Sequence, residues 1–152
     1  LDNFFPKNQF AFVVTSPPYW NILDKKDHKA HKRVENGQAT KYSAREDDLG
    51  NIGDYNAFLA ELSSILLDCY DLLKPQKYMC VVVSDFRHKS MFVPFHAELM
   101  NELIDKEKEK HFSLKGTKVL IQNAKNLFPY GYPYSYVENI HHQYVLVLQK
   151  EK

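Results

Sequence analysis

The sequence predicts an α/β fold built around a mostly parallel sheet. Short runs of continuously apolar residues, typical of strands covered on both faces, alternate with stretches whose apolar residues recur at spacings of three and four, typical of amphipathic helices. Along the chain the order is strand, helix, strand, helix, strand, strand. This alternation indicates one sheet with flanking helices. A length of 152 residues fits a single domain spanning residues 1–152.

The first half of the chain supplies a strand, a helix and a second strand. Residues 10–15 (FAFVVT) form the first strand, and their apolar character predicts that both faces are buried. A long polar loop, 21–53, leads to a helix with Asp54 as its N-cap. Pro75 ends this helix, and the apolar run 78–83 then predicts a central parallel strand.

The second half predicts one more helix and two strands with no helix between them. Residues 84–93 form a loop, and Pro94 suits the first turn of the second helix. The charged tract 105–110 (DKEKEK) is interpreted as the solvated end of that helix. Strands follow at 117–122 and 143–149, joined by a Tyr- and Pro-rich loop. Because no helix separates them, these two strands are expected to be antiparallel neighbours.

Composition limits the classes of function. Charged residues make up 26% of the chain but the net charge is only +1, so affinity for nucleic acid must come from a local patch. Cys69 and Cys80 each lie in an apolar stretch, which predicts buried thiols in a reducing compartment. No apolar run approaches membrane-spanning length. We therefore expect a cytoplasmic protein that does not contact a membrane.

A rigid turn directly after the first strand is the main functional candidate. Neither Pro17 nor Pro18 can donate a ladder hydrogen bond, so TSPPYW ends the strand at the edge of the sheet where ligands bind in open α/β folds. The Ser16 hydroxyl and the Pro17 carbonyl can accept hydrogens from an amino group that becomes tetrahedral as it attacks a methyl group. Tyr19 can stack on a base taken out of the helix. The alternative is an ordinary stiff turn with a packed tyrosine, and Trp20 either lines the base pocket or packs in the core.

The stretch TSPPYWN resembles the catalytic motif of the amino-directed DNA methyltransferases, which modify cytosine N4 or adenine N6 with S-adenosylmethionine. The segments DLGNIGDYNAFL, LLKPQKYMCVVVSDFRHK and FPYGYPYSYVENIHHQYVLVLQK resemble the following parts of that family, so the likeness covers nearly the whole chain. Gln76 departs from it, because the family commonly has Gly there.

The resemblance implies a partial Rossmann-like methyltransferase fold of about four strands, three parallel and the last antiparallel, with flanking helices. It implies S-adenosylmethionine as cofactor and double-stranded DNA as partner. The implied catalytic residues are Ser16, Pro17, Pro18 and Tyr19. Serine at the first motif position favours cytosine N4 slightly over adenine N6.

The family's cofactor segment, of the Asp-Pro-Phe-x-Gly-x-Gly type, has no counterpart in the sequence. The closest glycine pair, Gly50 and Gly53, follows no apolar strand and suits a turn into the helix at Asp54. The resemblance therefore implies the catalytic half of a methyltransferase domain with its cofactor-binding half missing, and a start at Leu1 suggests a piece of something longer. The first strand would then be a sheet edge. We expect a complementary polypeptide, a second copy or further residues to supply the cofactor site.

Several side chains near the turn are candidates for DNA contacts. The long loop carries KKDHKAHKR, which either contacts phosphates or is simply solvated; its basic residues are Lys25, Lys26, Lys29, Lys32 and Arg33. Arg87 and Lys89 form a second basic stretch after the central strand. Asp85 can bind the substrate, hold Arg87 or serve as a structural cap. Tyr132, in FPYGYPYSY, either lines the base pocket or packs over the sheet.

Two rival functions remain open from the sequence. A truncated domain could bind nucleic acid or a partner without catalysis, which the absent cofactor segment favours. A second class of enzymes uses related turns to methylate amines or amides in RNA or protein, although those turns more often begin with Asn or Asp. The histidines form no credible zinc set with cysteines or carboxylates, so no metal is expected. Nothing resembles a Ser-His-Asp triad or a phosphate-binding loop with its lysine.

Overall fold

Six strands and two α-helices are defined within the part of the chain that the computed structural model describes, namely residues 4–21, 34–37, 43, 45, 48–124 and 139–151. In chain order they are β1 (Phe10–Thr15), α1 (Tyr55–Leu72), β2 (Leu73–Val83), β3 (Phe86–His88), β4 (Met91–Val93), α2 (Phe95–Ile104), β5 (Ser113–Ile121) and β6 (His142–Gln149). A 3-10 helix, Leu49–Asn51, precedes α1. Neither of the described α-helices is long and apolar enough to cross a membrane.

A four-stranded sheet in the order β1-β2-β6-β5 carries the fold. Strand β1 is parallel to β2, and β6 is antiparallel to both β2 and β5. Three strands therefore run in one direction and the last runs against them, which confirms the predicted partial Rossmann-like arrangement. The last two strands pair directly and β1 lies at an edge of the sheet, both as predicted.

Both helices pack on one face of this sheet. Alternate residues of the two central strands are fully buried there, and the helices contribute a matching stripe. These core residues are Met79, Val81, Val83, Leu146 and Leu148 on the strands and Phe58, Leu62, Leu66, Phe95, Leu99 and Leu103 on the helices. The expectation that β1 is buried on both faces is wrong in the described structure. Its outward side chains Phe12 and Val14 are 54% and 64% exposed, because no described element covers that face.

Helix α1 begins and ends where its backbone groups find partners. Asp54 is the N-cap, as predicted, and its carboxylate accepts the Ala57 N–H at 2.8 Å. The last four carbonyls of the helix accept hydrogen bonds from the backbone N–H groups of Leu73, Asn8 and Gln9 and from the ammonium of buried Lys150. The capped helix end thus fixes the segment that leads into β1.

Strand β2 begins earlier than the predicted 78–83 because extended chain resumes directly after α1. Phe10 pairs with Leu73 but Phe12 pairs with Tyr78, so the residues between form a bulge on β2. Gln76 lies in this bulge with φ +61°. Glycine adopts that left-handed conformation without steric cost, so Gln76 is strained where the resemblance leads us to expect glycine.

Two further predictions fail in the second half. Residues 84–93 are not a plain loop, because they contain the hairpin of β3 and β4. The tract 105–110 does not extend α2, which ends at Ile104. Asp105 is extended (φ −63°, ψ 108°) and its carboxylate accepts the Glu107 N–H at 3.0 Å, so the tract turns instead. Strand β5 begins at Ser113, four residues before the predicted 117.

Candidate active site

The Ser16–Tyr19 turn directly follows the last residue of β1. The Ser16 side chain is exposed, whereas Pro17, Pro18 and Tyr19 are half-buried. The carboxyl ends of β1, β2 and β5 and the amino end of β6 meet at this edge of the sheet. The structure therefore places the turn at the edge that the sequence predicted, with its hydroxyl accessible to a ligand.

The orientation of Tyr19 is fixed from two sides. Its hydroxyl accepts a hydrogen bond from Gln143 Nε2 at 2.7 Å, and its ring meets the ring of Phe95 edge-on with 6.2 Å between centroids. Gln143 lies on β6, 124 residues further along the chain. Sequence reasoning missed this contact, because a glutamine in a strand carries no mark of such a role. The ring is thus held in place before any ligand arrives.

Trp20 anchors the turn in the core. Its side chain is 7% exposed, its indole N–H donates to the Ile52 carbonyl at 2.8 Å, and its backbone has φ +53°. The ring packs 5.3 Å from Tyr55 and 4.6 Å from His88, between centroids. Of the two interpretations offered by the sequence, core packing accounts for these contacts, and a contact with a base stays a prediction.

A polar cluster lies next to the turn, around buried Asp85. Asp85 Oδ1 accepts the backbone N–H of His96 at 3.0 Å and lies 2.7 Å from His96 Nδ1. Since Pro94 provides no side-chain cap for α2, Asp85 caps this helix, as one of the predicted alternatives held. The His96 ring stacks on Tyr144 with centroids 3.7 Å apart, and the Tyr144 hydroxyl lies 3.1 Å from His142 Nε2.

Tyr55 supports the same region from α1. Its phenol donates a hydrogen bond to Glu98 Oε2 on α2. Burial, followed by the hydrogen bond to Glu98, raises the pKa of Tyr55 well above its usual value. The phenol therefore keeps its proton at all physiological pH values and links the two helices beneath the Trp20 ring.

The second basic stretch lies on the hairpin of β3 and β4. The Arg87 guanidinium carbon is 5.4 Å from the centre of the Phe92 ring, and exposed Lys89 forms part of the hairpin turn. The contact between His88 and Trp20 joins this hairpin to the Ser16–Tyr19 turn. The remaining predicted DNA contacts lie outside the described residues: Lys25, Lys26, Lys29, Lys32, Arg33 and Tyr132.

The Gly50–Gly53 stretch does not have the form of a cofactor-binding loop. Gly50 lies in the 3-10 helix, where its N–H donates to the Asp48 carboxylate at 2.9 Å, and the neighbouring Ile52 carbonyl is used by Trp20. These glycines make the turn into α1, as predicted, and do not form a strand-to-helix loop. Across the described ranges no three potential metal ligands cluster.

The open mixed sheet with flanking helices and a rigid Ser-Pro-Pro-Tyr turn at its carboxyl edge is a partial Rossmann-like fold. A family model described as DNA methylase, covering N6- and N4-directed enzymes, matches residues 10–152, and the chain belongs to this family. None of the curated proteins compared matches the chain.

Solved structures support the fold. The PvuII DNA methyltransferase, cytosine-N4-specific, superimposes with a TM-score of 0.65 at 17% identity, over 97% of this chain and 45% of that protein. A Thermus thermophilus protein, provisionally named a DNA modification methylase and solved with S-adenosyl-L-methionine, gives a TM-score of 0.62 at 22% identity, over 97% of this chain and 50% of that protein. The chain thus spans about half the length of both structures.

Proposed function

We propose that this chain forms the amine-binding face of a DNA methyltransferase that transfers a methyl group from S-adenosylmethionine to an exocyclic amino group of a flipped base in double-stranded DNA. The placement of Ser16–Tyr19 at the carboxyl edge of the sheet carries the proposal. Family membership supports it, as do the activities after which the two similar proteins are named. Cytosine N4 is our preferred target over adenine N6, because the motif begins with serine. A restriction-modification setting in the cytoplasm fits this activity.

In this proposal Ser16 and Pro17 act on the hydrogens of the target amine. The amine is a poor nucleophile while its lone pair is delocalised into the ring. Acceptors aimed at its hydrogens favour the tetrahedral nitrogen and stabilise the positive charge that develops as the new N–C bond forms. Ser16 is exposed and Pro17 is stiffened by its own ring and by Pro18, so both oxygens need little reorganisation. The bond between this methyl group and the donor's sulfur would break at the same time and leave a neutral thioether, and the methylated amine would then lose one proton to solvent.

Tyr19 is proposed to stack on the base. The hydrogen bond from Gln143 and the contact with Phe95 fix the plane of its ring, so little conformational freedom is lost on binding. Stacking of a base on an aromatic side chain contributes about 1–3 kcal/mol. The loop lysines 25, 26, 29 and 32 with Arg33, and Tyr132, remain proposed DNA contacts.

The methyl donor is proposed to be held by a complementary polypeptide segment or a second copy that docks along β1. Strand β1 has β2 as its only described neighbour and presents Phe12 and Val14, which are 54% and 64% exposed. An apolar edge of this kind favours pairing with another strand. Once bound there, S-adenosylmethionine would supply the electrophilic methyl group.

Docking along β1 can be tested with Val14→Lys. The exposed side chain contributes little to the fold, so the free energy of unfolding should change by less than about 0.5 kcal/mol. Calorimetric titration with S-adenosylmethionine should show binding when the wild-type chain is mixed with a polypeptide carrying the glycine-rich cofactor segment, and at least tenfold weaker binding with the variant. Lys118→Val, on the far edge strand, serves as a control. Equal binding by Val14→Lys would contradict docking at this edge.

The proposed activity is tested by methyl transfer from labelled S-adenosylmethionine, with the chain assayed alone and with that polypeptide. Random-sequence duplex DNA, RNA and a protein mixture are offered separately, and methylated nucleosides are identified by mass spectrometry. N4-methylcytosine in the duplex is the expected product. N6-methyladenine would revise the target base, whereas methylation of RNA or protein alone would overturn the proposal.

A further inference from the structure

The hairpin of β3 and β4, which contacts Trp20 through His88, exposes two apolar side chains on β4. Met91 is 73% exposed and Phe92 is 48% exposed. Single exposed apolar residues are common on protein surfaces. Here two of them flank the end of one hairpin and, because successive side chains of a strand point to opposite faces, Met91 lies on the face of its partner His88 and Phe92 lies with Arg87 on the other face.

Positive charge lies beside Phe92 and at the tip of the hairpin. Arg87 is the cross-strand partner of Phe92, and its guanidinium carbon lies 5.4 Å from the centre of that ring. Lys89 is exposed at the tip, and within the hairpin, residues 86–93, no residue is acidic. A hairpin end that carries apolar side chains and cations is complementary to nucleic acid, whose bases have flat aromatic faces and whose backbone is negative.

The hairpin is built to hold its tip in one place. Lys89 and Ser90 form a two-residue turn with φ +47° and +67°, the pair of left-handed conformations that matches the twist of the flanking strands. At its base Phe86 is buried in the core. The His88 ring lies 4.6 Å from Trp20, the residue directly after Tyr19. The tip is thereby fixed relative to the turn proposed to hold the base.

We propose that this hairpin binds duplex DNA beside the target base and that Met91 enters the base stack there. The inference rests on the proposed function, because a base that leaves the stack opens a gap beside its neighbours. Apolar side chains such as methionine fill gaps of this kind in other complexes. Phe92 packs along the groove wall beneath Arg87, while Lys89 and Arg87 bind the flanking phosphates.

Duplex binding by the full chain tests the proposal. Fluorescence anisotropy with a labelled random-sequence duplex measures affinity for the wild type, Met91→Ala and Lys89→Gln. Val119→Ala and Lys118→Gln are controls, because both residues are exposed on β5, the strand farthest from β1, and neither lies at its carboxyl end. Met91→Ala should weaken duplex binding about fivefold to tenfold, because the shortened side chain no longer fills the gap in the base stack. Lys89→Gln should reduce the slope of log affinity against log salt concentration by about one. The duplex affinity of the controls should stay within twofold of that of the wild type.

Position on the DNA is tested by photocrosslinking to duplexes that carry 5-iodouracil. The expected crosslinked peptide contains residues 86–93. Crosslinks confined to other peptides, an affinity unchanged in Met91→Ala, or no duplex binding by the wild type would each overturn the proposal. A change in the sedimentation of free Met91→Ala, with unchanged DNA affinity, would instead assign the tip to a contact between protein chains and would equally overturn it.

The two proposals fail separately. If the hairpin variants weaken duplex binding but the methyl-transfer assay detects no product, the DNA contact stands and the enzymatic function fails. If methyl transfer proceeds and Met91→Ala behaves like the wild type in both assays, the enzymatic function stands and the hairpin assignment fails.

Discussion

Replacement of Trp20 by phenylalanine tests how the candidate catalytic turn is held. The substitution removes the indole N–H bond to the Ile52 carbonyl, 2.8 Å long and partly buried, which contributes about 1 kcal/mol. The side chain is 7% exposed, and the smaller ring loses roughly 40 Å² of buried apolar area, or about 1 kcal/mol more. We therefore expect Trp20→Phe to lower the free energy of unfolding by about 2 kcal/mol and the melting temperature by about 4–8 °C.

Urea unfolding followed by far-ultraviolet circular dichroism measures this loss, with Tyr78→Phe as an exposed aromatic control expected to change stability by less than about 0.5 kcal/mol. Trp20 is the only tryptophan of the chain, so its emission reports directly on this site. We expect the emission of a buried indole and little quenching by duplex DNA. Two results together would refute the anchoring role and assign Trp20 to the base pocket. The variant would be as stable as the wild type, and duplex DNA would strongly quench the Trp20 emission of the wild type.

Two further substitutions test the backbone and the charges that support β1 and α1. Gln76→Gly should stabilise the protein by about 0.5 kcal/mol, because relief of the φ +61° conformation exceeds the added freedom of the unfolded chain; a urea midpoint below that of the wild type would contradict this. The Lys110 ammonium, 2.6 Å from Asp71 Oδ2, lowers the pKa of the Asp71 carboxyl. A lowered folded-state pKa stabilises the protein above the unfolded-state pKa, and this stabilisation is lost as the pH falls through the folded-state value. Asp71→Asn should therefore cost about 1 kcal/mol at neutral pH, and denaturation at a series of pH values should show the difference shrinking below about pH 4. If the stability difference between Asp71→Asn and the wild type persisted in acid, the ion-pair explanation would be contradicted. Glu109→Gln, at an exposed residue, is the control.

The parts of the fold that depend on local chemistry were predictable from the sequence. The apolar run 10–15 matches β1, and Asp54 is the N-cap of α1. In both cases neighbouring residues in the sequence determine the structure, through apolar pattern or a capping carboxylate. The pairing of the last two strands followed from the missing helix between them.

The hairpin of β3 and β4 could not be predicted in the same way. Its turn places Lys89 and Ser90 in left-handed conformations that glycine or asparagine usually mark, so the sequence carries no turn signal there. Tertiary contacts offset the cost of these left-handed conformations, because Phe86 is buried and His88 packs on Trp20.

The support of the candidate site was also hidden from the sequence. The turn itself was found from its prolines, but Gln143 contacts Tyr19 across 124 residues of chain, and Asp85 reaches His96 on a different element. Such partners are set by the sheet order, in which the last strand lies beside the central one. Residue type alone gives no sign of them.

The most direct test of the central claim is the rate of methyl transfer to duplex DNA by Ser16→Ala, measured at saturating S-adenosylmethionine together with the polypeptide that carries the cofactor segment. Ser64→Ala, an exposed serine on α1, is the matched control. Loss of one preorganised hydrogen-bonding group at a reacting atom lowers turnover about 10²–10³-fold. We therefore expect the turnover of Ser16→Ala to be lower by that factor while its fold stays intact, and the turnover of Ser64→Ala to match that of the wild type. Wild-type turnover by Ser16→Ala would contradict the assignment of this turn as the amine-binding site.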